Sequence, residues 1–199
     1  MPHRLVLASG SAIRAQLLKQ VHLPHDIVLP RIDETSVKEA LRAEGALPRD
    51  VADTLAELKA RKVSDKVPDA LVLGCDQILE HDKTILSKPN SPGQAIEQLQ
   101  ALRDSVHILW SAAVIVEAGN PIWRHVGRVQ LRMRALKDDY LEQYVARNWE
   151  SIQHAVGGYK LEEEGARLFT RIEGDYFHVL GMPFLELLNF LALRGDLET

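Results

Sequence analysis

Apolar residues in this chain fall into short continuous runs and helically spaced stripes, interleaved along its length. The first run, Leu5 to Ala8, stops at Ser9-Gly10-Ser11 and reads as a short buried strand over residues 4–8. Ile13, Leu17, Leu18 and Val21 follow at i, i+4, i+5 and i+8, which predicts a helix over 12–21. Residues 25–33 (HDIVLPRID) read as extended, because Pro30 disfavours helix just before it. Val51, Leu55, Leu58 and Val63 mark a second amphipathic helix over 49–63. ALVLGC (70–75) is apolar throughout, the pattern of a strand covered on both faces. ILEHDKTIL (78–86) reads as a hairpin around His81-Asp82-Lys83.

The second half carries clearer punctuation. In SPGQAIEQLQAL (91–102), Ser91 can cap a helix, Pro92 suits its first position, and Gln94 completes a capping-box pattern. Residues 107–118 and 121–134 read as paired strands joined at Gly119-Asn120. In the second of these, Val129, Leu131 and Met133 alternate with Arg128, Gln130, Arg132 and Arg134, so one face is apolar and the other basic. A helix follows at about 137–148, then two extended segments at 167–174 and 175–181. A last helix runs from Pro183 to about Arg194, with Gly195 to end it. Strands and helices intermix around a hairpin-rich middle, which predicts an α/β fold with a mixed central sheet flanked by helices.

Composition narrows the function classes. The 199 residues are 46% hydrophobic and 26% charged with a formal net charge of −4, so no global basic field favours nucleic acid and a polyanion needs a local positive cluster. One cysteine, Cys75, excludes an internal disulfide and a multi-cysteine metal site, and suits a reducing cytosol. The opening apolar run is too short for a signal peptide, and no stretch approaches the ~18 apolar residues of a membrane span.

Several side chains are candidates for chemistry, each with a plainer reading beside it. Asp76 follows the apolar run directly, where ligands collect at the carboxyl ends of strands in open α/β sheets; it could equally be a solvated turn residue. Lys59, one turn after Leu55, either lays its stem over the core or reaches an anion. Lys88, in an extended backbone before a proline, is either solvated or within reach of a phosphate. Arg14 opposes the helix dipole in a first turn, which makes sense if an anion is shared with Ser9, Ser11 and the helix N-terminus; otherwise it is a surface arginine. Asp33 and Glu34 are either solvated loop acids or, with Asp76, oxygen ligands for a hard divalent cation. The G-x-x-x-x-G-K-[ST], G-x-G-x-x-G, H-E-x-x-H and G-x-S-x-G patterns are all missing.

Taken in order, LASGSAIR, IDE, LAELKA, LVLGCDQI, SKP, VGGYKLEEEGARLF and RIEGDYFHVLGMP resemble the Maf-like nucleoside triphosphate pyrophosphatases, from residue 5 to about 190. The resemblance implies one domain over residues 1–199, with an elongated α/β body and a nucleotide-binding cleft. It implies cleavage of modified or non-standard nucleoside triphosphates between the α- and β-phosphates, giving a monophosphate and pyrophosphate, with Mg2+ or Mn2+ as cofactor. It also implies a cytoplasmic protein, often a homodimer, while the charge balance and the lack of a long apolar stretch predict no nucleic-acid and no membrane partner. By the same resemblance Asp76 is the proton acceptor, Glu34, Lys59 and Lys88 are the catalytic acid and lysines, and Ser9, Ser11 and Arg14 bind phosphate. Glu34 and Asp76 would hold the metal.

Three positions separate the family's subgroups near the base: here Ile13, Gln77 and Glu162. The pyrimidine-directed subgroup carries Arg, Thr and Gln there, and the 7-methyl-GTP-directed one Trp, Gln and Glu. This chain therefore resembles the second at Gln77 and Glu162. A carboxylate can accept from the N1–H and exocyclic amine of a guanine, while Ile13 lacks an aromatic face for a cationic methylated base. Other departures are Ala12, Arg103-Asp104 and Val106, where the family has proline, Ser-Gly and threonine. The competing class is a non-catalytic nucleotide-binding regulator of cell division; retention of both the acid and the lysines argues against it, because simple binding does not need a base. An exposed strand face explains Arg128, Arg132 and Arg134 better than nucleic-acid binding does.

Overall fold

A computed structural model describes residues 3–198. Its strands are β1 (Leu5–Ala8), β2 (His25–Ile27), β3 (Leu71–His81), β4 (Thr84–Leu86), β5 (Val106–Glu117), β6 (Asn120–Met133) and β7 (Phe169–Glu173). Its helices are α1 (Ala12–Gln20), α2 (Glu34–Ala43), α3 (Pro48–Ser64), α4 (Pro92–Leu102), α5 (Asp138–Ile152), α6 (Tyr176–Val179) and α7 (Phe184–Arg194). The strands form a mixed sheet in the order β2-β1-β3-β5-β6-β7, with β4 paired to β3. The expected α/β class with a mixed sheet is what the chain adopts.

The chain divides into two compact units. One comprises the chain up to Gln77, Ser111–Gly127 and the chain from Gly181 onward; the other comprises Ile78–Trp110 and Arg128–Leu180. In the first unit β1 pairs parallel with both β2 and β3, Leu7 standing opposite Ile27 and Leu73. All four residues of β1 are buried, as the unbroken apolar run predicts for a strand covered on both faces. In the second unit β4 turns back antiparallel on the end of β3, and β7 lies antiparallel to β6. A core of Leu79, Leu99, Leu131, Leu141, Tyr144 and Leu168, among others, fills it. No helix among the described residues is long and apolar enough to cross a membrane.

Four local expectations change. The strand expected over 70–75 does not end before Asp76; β3 continues unbroken to His81, because Ile78 and Leu79 are also buried. The reversal that follows is the two residues Asp82 and Lys83, at φ of 48° and 63°, the left-handed pair of a tight hairpin. The next hairpin turns at Ala118-Gly119, both at positive φ, one residue earlier than Gly119-Asn120. Residues 34–43 form a helix that the apolar pattern conceals, since it buries no residue completely. Asp33 starts it by capping: its carboxylate accepts from Ser36 N at 3.1 Å and Ser36 Oγ at 2.8 Å. Finally, residues 176–179 are the short helix α6 rather than a strand, because Asp175 Oδ1 accepts from the amides of Phe177 and His178. The remaining caps agree in part: Pro183 stands at the N-cap of α7, one residue before its first turn. Ser91 accepts from Gln94 N, although the Gln94 side chain reaches Asn90 N and not Ser91 N, and Gly195 ends α7 at φ +82°.

Candidate active site

The site grows from a close approach of α3 to β3. A Cβ at Gly74 would lie 2.1 Å from the Ala56 carbonyl oxygen and 2.7 Å from Ala60 N, so only glycine lets the helix backbone pass this near the strand. Strand side chains alternate in direction, so Asp76, two residues on, points to the same face as Gly74. On the helix, Val51, Leu55, Lys59 and Val63 form one i+4 row, all buried, while Leu58 lies at the exposed edge. Lys59 thus occupies an apolar row, one residue from the contact at Ala60, and is only 7% exposed. Its Nζ donates to Asp76 Oδ1 at 2.6 Å. Glu34 Oε1, on the first residue of α2, lies 2.9 Å from the same nitrogen. The plainer reading of Lys59, a stem laid over the core with its charge in water, does not describe this geometry.

Two carboxylates therefore converge on one buried ammonium. They differ in environment: Asp76 is 5% exposed, whereas the Glu34 side chain is about half in water. Asp76 Oδ2 is buried and has no hydrogen-bond partner among the described residues. A buried carboxylate oxygen left this way costs free energy unless something electropositive approaches it. Of the adjacent acids in IDE, Asp33 is committed to the cap, and the Ser36 amide and hydroxyl hold its carboxyl below the ordinary carboxylate value. Glu34 is the one directed at Lys59.

The Ser9-Gly10-Ser11 loop lies at the end of β1, beside β3. Ser9 is buried, and its Oγ accepts from Ser11 N and from Arg14 Nη1, both at 3.2 Å. Arg14 is buried as well: Nε donates to the Gly181 carbonyl at 2.9 Å and Nη1 to the Cys75 carbonyl at 3.0 Å. The expected stripe on α1 therefore shifts, with Arg14 inside and Val21 38% exposed, because the guanidinium finds backbone acceptors in the core. Those bonds occupy Nε and Nη1, while Nη2 lies against Gly181, where an added Cβ would come within 3.0 Å of it. Ser11 is the N-cap residue of α1, yet its hydroxyl makes no capping bond. Cys75 is wholly buried, which pushes its thiol up to about 11, so it behaves as a small core residue whose carbonyl holds Arg14. Gln77, next to Asp76, donates from Nε2 to Ser111 Oγ at 2.9 Å, and Ile13 is half-buried in the first turn of α1.

Two predicted residues belong to the second unit. Lys88 is exposed in the segment between β4 and α4. Glu162 is exposed in the turn after Tyr159, where its neighbours Glu163 and Glu164 are bonded to Ser151 and to Arg147 and Asn148. The first unit thus brings Ser9, Ser11 and Arg14 together beside Cys75-Asp76, and joins Glu34, Lys59 and Asp76 through one nitrogen. Sequence reasoning missed Ser111 and the Gly181 carbonyl. Gly181 sits in the recognised GDYFHVLGMP stretch, at φ +90°, whereas nothing local marks Ser111.

The Maf family model, described as Maf-like protein, matches residues 4–193. The chain belongs to the Maf-like family. This Maf-like chain is 65% identical over 195 residues to a protein of Ruegeria pomeroyi named nucleoside triphosphate pyrophosphatase, covering 98% of each. It is 64% identical over 197 residues to one of the same name from Roseobacter denitrificans, covering 99% of each. A Caulobacter vibrioides protein of that name is 44% identical over 193 residues, covering 97% of this chain and 96% of its own.

Proposed function

We propose that this Maf-like chain is a nucleoside triphosphate pyrophosphatase, splitting its substrate into a nucleoside monophosphate and pyrophosphate. The observation that carries this reading is Asp76: buried, fixed through Oδ1 by Lys59, with Oδ2 left without a partner among the described residues. In this reading Oδ2 accepts a proton from the attacking water. The water oxygen bonds to the α-phosphorus, the bridge oxygen to the β-phosphorus breaks away with its electrons, and pyrophosphate leaves. The Arg14 guanidinium and the Ser9 and Ser11 hydroxyls take phosphate oxygens, and Lys88 adds positive charge. Lys59, already bonded to both carboxylates, keeps Asp76 oriented toward the attacking water. Such preorganised charge supplies most of the acceleration in phosphoryl transfer.

The residues also fit a divalent cation. The Glu34 and Asp76 carboxylates are hard oxygen donors that would hold Mg2+ or Mn2+, with Asp76 Oδ2 kept for the proton, and a bound ion would offset the negative charge of the phosphates. For the base, Gln77 and Glu162 support a guanine-type substrate such as 7-methyl-GTP, whose N1–H and amine a carboxylate can accept. The test is pyrophosphate release from 7-methyl-GTP, GTP, UTP and dTTP, with Mg2+ or Mn2+ and with EDTA. Wild type releases pyrophosphate with metal and not with EDTA, and Asp76→Asn lowers the rate by about 10²–10⁴-fold while remaining folded. An Asp76→Asn rate equal to wild type would overturn the role of Asp76; binding without turnover of every nucleotide would make the chain a sensor.

A further inference from the structure

The turn that carries Glu162 is anchored from beneath by a buried polar contact. The chain approaches it through Gly157 and Gly158, at φ of +77° and +67°. A Cβ at Gly157 would lie 2.5 Å from Leu79 Cδ1 and 2.9 Å from the Tyr159 ring, so the backbone here is pressed onto β3. Tyr159 follows, 4% exposed, with its hydroxyl 2.7 Å from Nε2 of His107, itself 1% exposed. The His107 ring also packs against Phe169, and Tyr159 meets Phe169 edge-on at 4.8 Å. Beyond Tyr159, Lys160 Nζ donates to Ser151 Oγ at 2.6 Å and Ser151 Oγ to Glu163 at 2.7 Å. Glu164 accepts from Arg147 and Asn148. Of three consecutive carboxylates, only Glu162 makes no hydrogen bond or ion pair with any described residue.

Glu162 is therefore an exposed carboxylate on a turn whose neighbouring residues are tied down. We propose that Tyr159, held by His107, is a positioning residue for nucleotide selectivity: their hydrogen bond sets where Glu162 presents its carboxylate. This rests on the reading that Glu162 takes the guanine edge. The physical ground is the burial of both partners. His107 Nδ1 already lacks a partner, so losing the Tyr159 hydroxyl leaves both ring nitrogens unsatisfied. Relaxing that cost shifts the Tyr159 ring and the turn rooted on it. Displacement of about 1 Å at a contact group can cost on the order of 10²-fold, so a partial shift predicts about tenfold.

The test compares kcat/KM for 7-methyl-GTP and for ATP, whose adenine offers a lone pair where guanine offers N1–H, alongside melting temperatures. Tyr159→Phe and His107→Phe lower the 7-methyl-GTP to ATP ratio about tenfold, through KM for 7-methyl-GTP with kcat within about twofold. His107→Gln, which keeps a hydrogen-bonding group near Nε2, restores the ratio, and Tyr159→Phe combined with Glu162→Gln is no worse than Glu162→Gln alone. If Glu162→Gln lowers the ratio but Tyr159→Phe and His107→Phe leave it unchanged, the positioning role is overturned and the base reading stands. If Glu162→Gln itself leaves the ratio unchanged, the base reading fails and takes this proposal with it. Should Tyr159→Phe not fold, His107→Gln against His107→Phe decides the matter.

Discussion

Replacing Lys59 by methionine tests the electrostatic logic of the site without relying on any substrate. Lys59 and Asp76 are both more than nine-tenths buried, and their 2.6 Å contact is the only hydrogen bond that the Asp76 carboxylate makes among the described residues. Lys59→Met keeps the volume but leaves the buried Asp76 carboxylate without the ammonium bonded to it, which costs about 3–5 kcal/mol. Asp76→Leu costs less, about 1–3 kcal/mol, because Lys59 keeps Glu34 at 2.9 Å on a half-solvated side chain. The double variant replaces the pair with apolar groups that fit the row of Val51, Leu55 and Val63, and such replacements are often neutral or stabilising. The expected result is strong non-additivity: the double variant is more stable than Lys59→Met alone, with a coupling of at least about 2 kcal/mol. Urea denaturation followed by tryptophan fluorescence and circular dichroism, at pH 7 with EDTA, measures it. Raising the salt leaves the coupling nearly unchanged, because a buried pair is screened little. Effects that add to within about 0.5 kcal/mol would refute the reasoning.

Three further outcomes follow from the same geometry. Gly74→Ala forces α3 away from β3, since its Cβ would meet backbone at 2.1 Å; it lowers stability by about 3 kcal/mol or more and pyrophosphate release with it, read by melting curve and phosphate assay. Asp33→Ala removes the cap of α2, costing about 1 kcal/mol. Because Glu34 begins that helix, Asp33→Ala also raises the metal concentration needed for half-maximal activity, which a metal titration measures. His107 gives a pH dependence: burial, with a smaller contribution from His81, lowers its folded value to about 4, below the 6.5 of an exposed histidine. The unfolded chain then takes the proton first, so this contribution is intact above pH 6.5 and falls by up to about 1.4 kcal/mol per pH unit toward pH 4. His107→Gln flattens that slope in urea midpoints measured between pH 7 and pH 5.

Much of the fold was legible locally, for identifiable reasons. β1 announced itself by an unbroken apolar run, α4 by Ser91 and Pro92, and α7 by Pro183 and Gly195. What escaped was structure whose cause is polar. α2 buries no residue completely, so no stripe marks it, and a cap at Asp33 decides its start. α6 is likewise begun by Asp175, where the sequence of alternating bulky residues reads as strand. The end of the first part of β3 was misplaced because Asp76 and Gln77 look like a strand terminus while the burial of Ile78 and Leu79 carries the strand onward.

By itself the sequence determined the alternation of strands and helices, the caps and turns that bound most of them, and the residue types able to handle a polyanion. Periodicity and capping act over a few residues, so they can be read from order alone. Only the tertiary structure decided which of those residues act together. Lys59 and Asp76 are 17 positions apart and meet because a glycine lets a helix approach a strand; Arg14 turns inward because the carbonyls of Cys75 and Gly181 converge on it. Whether a lysine or an arginine is solvated or held depends on what the folded chain brings within hydrogen-bond reach, and no local pattern encodes that distance.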